Sequence, residues 1–288
     1  PELASRQHVR HILPIIDGAL KQAGAGLGDL SGIAVTRGPG LVGSLLVGLS
    51  VVKGIAYRRS IPYVGVNHLE AHLLAIFLDR EVAFPYLALL ASGGHTLLYV
   101  ARDFGDYQHL GGTRDDAAGE AYDKVAKMMG LGYPGGRAID QLSKSGNPKA
   151  VAFPRARLKK GSRDFSFSGL KTAVWHHLKE RPEGAESDKA DIAASFQEAV
   201  VDMLAARTIG AAVDLNIPRV VLAGGVAANS RLRQRMAEAT RAEGMEFHVP
   251  PPALCTDNGA MIALAGYHML RRGLRDDLHL NADADLTL

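Results

Sequence analysis

Two imidazoles four residues apart stand in the run Asn67-His68-Leu69-Glu70-Ala71-His72, directly after the apolar stretch Pro62-Tyr63-Val64-Gly65-Val66. On a helix, positions i and i+4 lie about 40° apart around the axis, so His68 and His72 can turn their rings toward one metal ion. Asn67 is a good N-cap residue, which predicts a helix beginning at that point. The junction of strand and helix is also where open α/β sheets keep their ligands. A helix with two unrelated histidines is the other reading, and the pair alone leaves both open. Glu70 argues against a zinc protease. In that pattern the glutamate directly follows the first histidine and reaches the metal-bound water, whereas Glu70 falls about 200° around the helix from His68 and points away.

Further along the chain, Thr256-Asp257-Asn258-Gly259 opens a helix-like segment. Asp257 reads either as a plain first-turn acid or as the carboxylate that completes a metal site with the two histidines. A set of two histidines and one carboxylate leaves coordination positions open and suits non-haem Fe(II), with zinc or manganese as competitors. Cys255 beside it is a possible thiol nucleophile, but no partner base can be paired with it, and a small buried residue is the simpler reading.

Two glycine turns suit an anionic ligand. Leu89-Leu90-Ala91-Ser92-Gly93-Gly94-His95-Thr96 joins two strand-like runs, and glycine lets backbone N–H groups approach an anion closely. Val221-Leu222-Ala223-Gly224-Gly225-Val226-Ala227-Ala228-Asn229-Ser230 reads as strand, turn and helix start, the arrangement that aims helix N–H groups at phosphate or ribose. Gly-Gly turns also occur for purely steric reasons. Asp115, Asp116, Glu120 and Asp123 crowd the start of another helix, where first-turn acids complement the helix dipole; Asp123 and Lys124 lie deeper, where capping explains less. The segment from Arg155 to Lys171 carries Arg155, Arg157, Lys159, Lys160, Arg163 and Lys171 against Asp164 alone, with Phe165 and Phe167 alternating with Ser166 and Ser168. It reads equally as a solvated loop or as a basic strip for a phosphate backbone.

These residues need a scaffold, and the 288 residues with 47% hydrophobic content can bury a sizeable core, expected as two lobes. Cys255 is the single cysteine, which excludes an intramolecular disulfide and suits a reducing cytoplasm. No apolar run is long enough to span a bilayer and no signal peptide is visible. The net charge of +3 permits nucleic-acid binding without arguing for it. Periodicity predicts a helix over 3–24 with Val9, Ile12, Leu13, Ile16 and Leu20 on one face. A strand at 32–36, a turn at Arg37-Gly38-Pro39-Gly40, a helix to about Tyr57, a strand at 62–66 and the histidine helix follow. After Phe84-Pro85 come strands at 86–91, 96–101 and 107–112, a helix at 116–130, and basic, helix-containing sequence to about 185. A long helix (188–214), strand (219–223), helix (227–242), strand (246–249) and helix (257–271) complete the pattern. Leaving out the middle, the later part reads βββαβαβα and the earlier part αβαβα, the same unit without its opening strands. That duplication matches the actin-like ATPase fold: an α/β fold with two lobes around a central cleft, here 1–83 and 84–288, the second carrying a helical and basic insertion at about 131–187. The chain starts at Pro1 without methionine, so an N-terminal truncation is expected, with an unpaired sheet edge at 32–36 or its neighbour.

The residues together resemble the tRNA threonylcarbamoyladenosine biosynthesis protein family of TsaD type, once described as O-sialoglycoprotein endopeptidases. The matching runs are PELASR from Pro1, GPGLVGSLLVG from Gly38, NHLEAH from Asn67, SGGHT from Ser92, DDAAGEAYDKVAK from Asp115, YPGG from Tyr133, FSFSGLKTAV from Phe165, GGVAANS from Gly224 and CTDNGAMIA from Cys255. They stand in the family's order over nearly the whole chain. The departures are the missing start, which in the family holds an early phosphate loop, and Tyr122 in place of the family's usual phenylalanine. The resemblance implies metal-dependent transfer of a threonylcarbamoyl group from threonylcarbamoyl-AMP to N6 of adenosine 37 in tRNAs reading ANN codons. It implies a divalent ion, most suitably Fe(II), on His68, His72 and Asp257. The acyl-adenylate, or ATP or ADP, would lie on Leu90, Ala91, Ser92, Gly93, Gly94, Asp123, Gly136, Asp140 and Asn229. It further implies tRNA, an inactive paralogue of TsaB type and a small ATPase of TsaE type as partners. No residue stands out as a general base. A metallopeptidase acting on glycoproteins, or a non-catalytic actin-like nucleotide-binding scaffold, are the alternatives.

Overall fold

A computed structural model describes residues 2–156, 158–159, 161–180 and 188–288. In chain order its helices and strands are α1 (Glu2–Ala23), β1 (Ile33–Gly38), α2 (Val42–Arg59), β2 (Tyr63–Asn67), α3 (His68–Leu74), β3 (Tyr86–Ala91), β4 (Thr96–Asp103), β5 (Asp106–Gly112), α4 (Ala118–Met128), α5 (Gly135–Ser143) and α6 (Ser168–Glu180). They continue with α7 (Lys189–Asp214), β6 (Arg219–Ala223), α8 (Ser230–Ala242), β7 (Glu246–His248), α9 (Pro252–Cys255) and α10 (Gly259–Arg271). The periodic segments fold as expected, with shifts at their ends. The helix expected from 227 begins at Ser230, because Asn229 takes the Leu232 N–H on its side chain and a 3₁₀ turn fills 225–228. The helix expected from 257 begins at Gly259, because Asn258 caps it by accepting from the Met261 N–H.

The chain divides into two compact units, Pro1–Leu78 with Asn258–Leu288, and Asp79–Asp257. This corrects the expected division at residue 83, which left 258–288 in the second lobe. The reason is packing. Gly266 of α10 has no room for a side chain, since a β-carbon there would meet the Ala34 β-carbon of β1 at 2.2 Å, and α10 also packs on α3.

In the second unit the strand order is β5-β4-β3-β6-β7, antiparallel from β5 to β3 and parallel from β3 to β7. β3 is central and buried along its whole length, as the run Tyr86-Leu87-Ala88-Leu89-Leu90-Ala91 requires. Helix α7 carries buried residues all round its axis, Phe196, Ala199, Val200 and Leu204 among them. Its core also takes Leu222, Ile139 and Tyr122. Of the segment expected as an insertion at about 131–187, the described residues contribute directly: α5 packs on α4 and α7, while Phe165 and Phe167 are buried and stacked with ring centroids 6.4 Å apart.

The first unit has β1 and β2 paired in parallel through α2, with Val35, Leu49, Val52, Ala56 and Tyr63 as its core. α1 is the helix the pattern predicts, but Val9 and Leu13 of its apolar face are exposed. Segment 276–287, for which periodicity predicts nothing, runs as a strap along this small sheet. Asp276 N–H donates to the Tyr63 carbonyl, Asp283 N–H to the Arg37 carbonyl, and Gly40 N–H to the Ala284 carbonyl. The Asp276 carboxylate takes the Gly65 N–H at 2.8 Å, and Leu280 closes the core. Strand backbone that was expected to lie unpaired is met at these points by the chain's own tail.

Candidate functional site

The side chain of Asn67 accepts from the Leu69 N–H at 2.8 Å and, weakly, from the Glu70 N–H at 3.5 Å, which starts α3 at His68. Its amide in turn donates to the Thr287 carbonyl of the strap. The i,i+4 spacing then does what the sequence predicts: the rings of His68 and His72 meet edge to face with centroids 4.7 Å apart, His72 being 1% exposed. Asp257 is joined by one peptide bond to Asn258, the cap of α10, and α10 packs on α3. Ligand atoms of His68, His72 and Asp257 all lie within 4.8 Å of one another. Donors placed about 2.0–2.2 Å from a shared ion stand roughly 3–4 Å apart, so the three groups fit a divalent metal after a small inward movement. Two neutral nitrogens and one carboxylate suit iron, zinc or manganese, and nothing in the donor set chooses among them.

The second unit holds a cavity of about 620 Å³, lined by Gly93, Gly119, Tyr122, Asp123, Gly136, Asp140, Gly225 and Asn229 with their neighbours. Three close backbone approaches build it. A β-carbon on Gly119 would meet the Ser92 carbonyl oxygen at 2.5 Å, one on Gly135 the Asp123 α-carbon at 2.7 Å, and one on Gly224 the Ala91 carbonyl oxygen at 2.4 Å. These contacts tie α4, α5 and the β6 turn to the glycine loop after β3. The loop is closed on itself, Ser92 N–H donating to the His95 carbonyl, and Thr96 Oγ1 accepts the Ala118 N–H to start α4. Gly93, Gly94, Gly136 and Gly225 differ in kind. A β-carbon on any of them would meet nothing within 4 Å, and none has a positive φ. The fold does not require glycine there, and its absence of bulk serves the open space beside it.

The carboxylates at the cavity are positioned by neighbours. Asp123 takes the Gly135 N–H at 2.8 Å, and Asp140 takes the Ser230 hydroxyl at 2.8 Å. Asn229, 8% exposed, caps α8 with its oxygen and donates its amide to Gln197 at 2.6 Å, so it is firmly oriented at the wall. Leu90 and Ala91 are buried in β3 and carry the loop without lining the cavity. Gly119 and Gly135 stand inside the matching runs DDAAGEAYDKVAK and YPGG but are not among the expected ligand-binding residues, and no periodicity could have singled them out.

Two acids turn out to be anchors. Asp115 accepts from the Ser166 hydroxyl and from the N–H groups of Phe167 and Ser168, holding the start of α6. Asp116 pairs with Lys124 at 2.7 Å and with Lys171. Burial works to raise the Asp116 carboxyl, but the two ammonium groups outweigh it and hold it below the usual carboxylate range. Lys171 is thereby committed within the fold. Of the basic strip, Arg155 pairs with Asp202 at 2.8 Å, Lys159 is exposed, and Arg163 is half-buried; Arg157 and Lys160 lie outside the described residues. Cys255 is 1% exposed and burial pushes its thiol up, against the pull of Arg233, whose Nη2 lies 3.1 Å from the sulfur. That is a structural cysteine and not a thiolate nucleophile.

Against known proteins, residues 1–264 match the family model described as TsaD: tRNA N6-adenosine threonylcarbamoyltransferase. A protein of that name from Geobacter sp. (strain M21) is 55% identical over 282 residues, 98% of this chain and 82% of its own length. One from Anaeromyxobacter sp. (strain Fw109-5) is 57% identical over 287 residues, covering 98% of this chain and 86% of its own. Among solved structures, full-length HypF in its phosphate- and nucleotide-bound form superposes with a TM-score of 0.67 at 14% identity, over 93% of this chain and half of that one. HypF from T. kodakarensis gives 0.61 at 14% identity, over 86% of this chain and 41% of that one. These two likenesses concern the fold, which is α/β and actin-like. The chain belongs to the tRNA N6-adenosine threonylcarbamoyltransferase family.

Proposed function

We propose that this chain transfers the threonylcarbamoyl group of threonylcarbamoyl-AMP to N6 of adenosine 37 in tRNAs reading ANN codons. Family membership supplies the reaction, and the observation that supports its location is the glycine-walled cavity of the second unit. Its volume suits a nucleotide-sized ligand. Asp123 and Asp140 offer acceptors for ribose hydroxyls. The backbone of Gly93 and Gly94 offers donors for the phosphate, where close approach needs the missing β-carbons. Asn229, held by Gln197, and Gly225 shape the opposite wall.

The bond to be broken is a mixed anhydride, so its phosphate must be held and its carbonyl polarised. A divalent ion on His68, His72 and Asp257 would supply Lewis acidity for that polarisation, with iron the ion proposed among the three that the donor set suits. The adenine amine is a weak nucleophile, and orienting it is the main requirement. tRNA is the macromolecular partner; Lys159, with Arg155 and Arg163, offers charge for its phosphates. Family likeness extends the list to an inactive paralogue and a small ATPase. A tRNA substrate and one buried cysteine fit a cytoplasmic setting, and among the described residues no helix is long and apolar enough to cross a membrane.

The test is single-turnover transfer from threonylcarbamoyl-AMP to unmodified tRNA with the partner proteins present. Wild type should give the modified nucleoside, and the His68→Ala, His72→Ala double variant should lose it together with its bound metal. Equal transfer and equal metal in both proteins would refute the assignment.

A further inference from the structure

Tyr122 sits on α4 between Ala121 and Asp123, is 1% exposed, and packs edge to face on Phe196 with centroids 5.3 Å apart. The residue is one of those lining the cavity, and its hydroxyl, itself buried, has no hydrogen-bond partner among the described residues. The acids around it are engaged elsewhere: Asp123 with Gly135, Asp140 with Ser230, and Glu198 with Arg231 through two bonds of 2.6 Å. Burial, reinforced by the charges of Asp140 and Glu198, raises the phenol well above its usual value, so the group stays a neutral O–H donor.

A buried donor without an acceptor destabilises the fold that contains it. Phenylalanine would fill the same space, keep the contact with Phe196 and avoid that cost. Packing therefore accounts for the ring and leaves the oxygen unexplained. We propose that Tyr122 is a specificity-determining residue of the cavity, whose O–H donates to a ribose oxygen of the bound adenylate. The proposal rests on the reading of the cavity as the adenylate site. The hydroxyl is closed off from solvent in the ligand-free cavity, so the proposal requires a local shift of the wall as the ligand seats.

The test is calorimetric titration of ADP into wild type, Tyr122→Phe and Asp123→Asn, with the thermal midpoint of each protein measured without ligand. Tyr122→Phe should bind ADP about five- to tenfold more weakly, as the loss of one neutral hydrogen bond implies. Its ligand-free midpoint should be unchanged or higher. Asp123→Asn should also bind more weakly. If ADP affinity falls only in Asp123→Asn, the cavity reading stands and the role of Tyr122 is overturned. If wild type fails to bind ADP, or all three bind alike, the cavity reading falls and this inference with it. A ligand-free midpoint several degrees lower in Tyr122→Phe would show that the hydroxyl already serves the empty protein, which also overturns the proposal.

Discussion

Each unit contains the same crossover, strand to helix to parallel strand: β1-α2-β2 in the first and β6-α8-β7 in the second. The two place their candidate sites differently. In the second unit, β6 turns at Gly224, with φ 85° and ψ 170°, a region open to glycine almost alone, and the turn opens onto the cavity. In the first, the equivalent turn at Gly38-Pro39-Gly40 is covered by the strap. A β-carbon on Gly38 would lie 1.9 Å from the Asp283 carbonyl oxygen, and Gly40 donates to Ala284. There the candidate metal ligands stand past the end of the second strand, where Asn67 starts the histidine helix. A shared supersecondary unit thus fixes where a ligand can sit, and local filling decides whether one does.

The sharpest way to break this comparison is to add one methyl group at each turn. Gly224→Ala places a β-carbon 2.4 Å from the Ala91 carbonyl oxygen of the central strand and forces a strained φ. Neither can relax cheaply, so the second unit should lose about 3 kcal/mol in chemical denaturation. The tightest contacts of a β-carbon on Gly38 are with Asp283 and Leu286 of the strap, which can lift away. The expected result is proteolytic sensitivity in 276–287 with little change in the second unit. Equal global losses from both substitutions would mean that the strap is as integral as β3.

Acid should loosen the second unit by a smaller amount. Three carboxylates of the second unit hold their protons less tightly folded than unfolded: Glu198 through its bonds to Arg231, Asp164 through Arg114, and Asp116, where the two lysines outweigh burial. A depressed folded value adds stability above the unfolded value of about 4, and that stability is lost as pH falls from there through the folded values. Hydrogen exchange on lowering pH from 5 to 3 should accelerate first around α4, α6 and α7. Unchanged exchange in those helices would contradict it.

Much of this was legible in the sequence. Period-two and period-3.6 patterns placed every strand, and the i,i+4 pair with an N-cap asparagine foretold the histidine helix, because both rest on contacts a few residues long. Three features escaped. The strap has neither period, so nothing local marks it; its place is set by bonds to residues more than 200 positions away, such as Gly65 to Asp276. α10 was assigned to the wrong lobe because a helix pattern does not say which sheet it covers; the tight fit of Gly266 on Ala34 and the packing on α3 decide it. Asp115 and Asp116 read as dipole-friendly acids at a helix start, whereas their partners, Ser166 and Lys171, lie about fifty residues downstream.

Hydrogen exchange with and without saturating ADP tests the central claim most directly, since it reads both turns in one experiment. The account predicts slowed exchange in 92–94, 119–123, 135–140 and 225–229, and none at 38–44. Protection at 38–44, or its absence around the cavity, would contradict it.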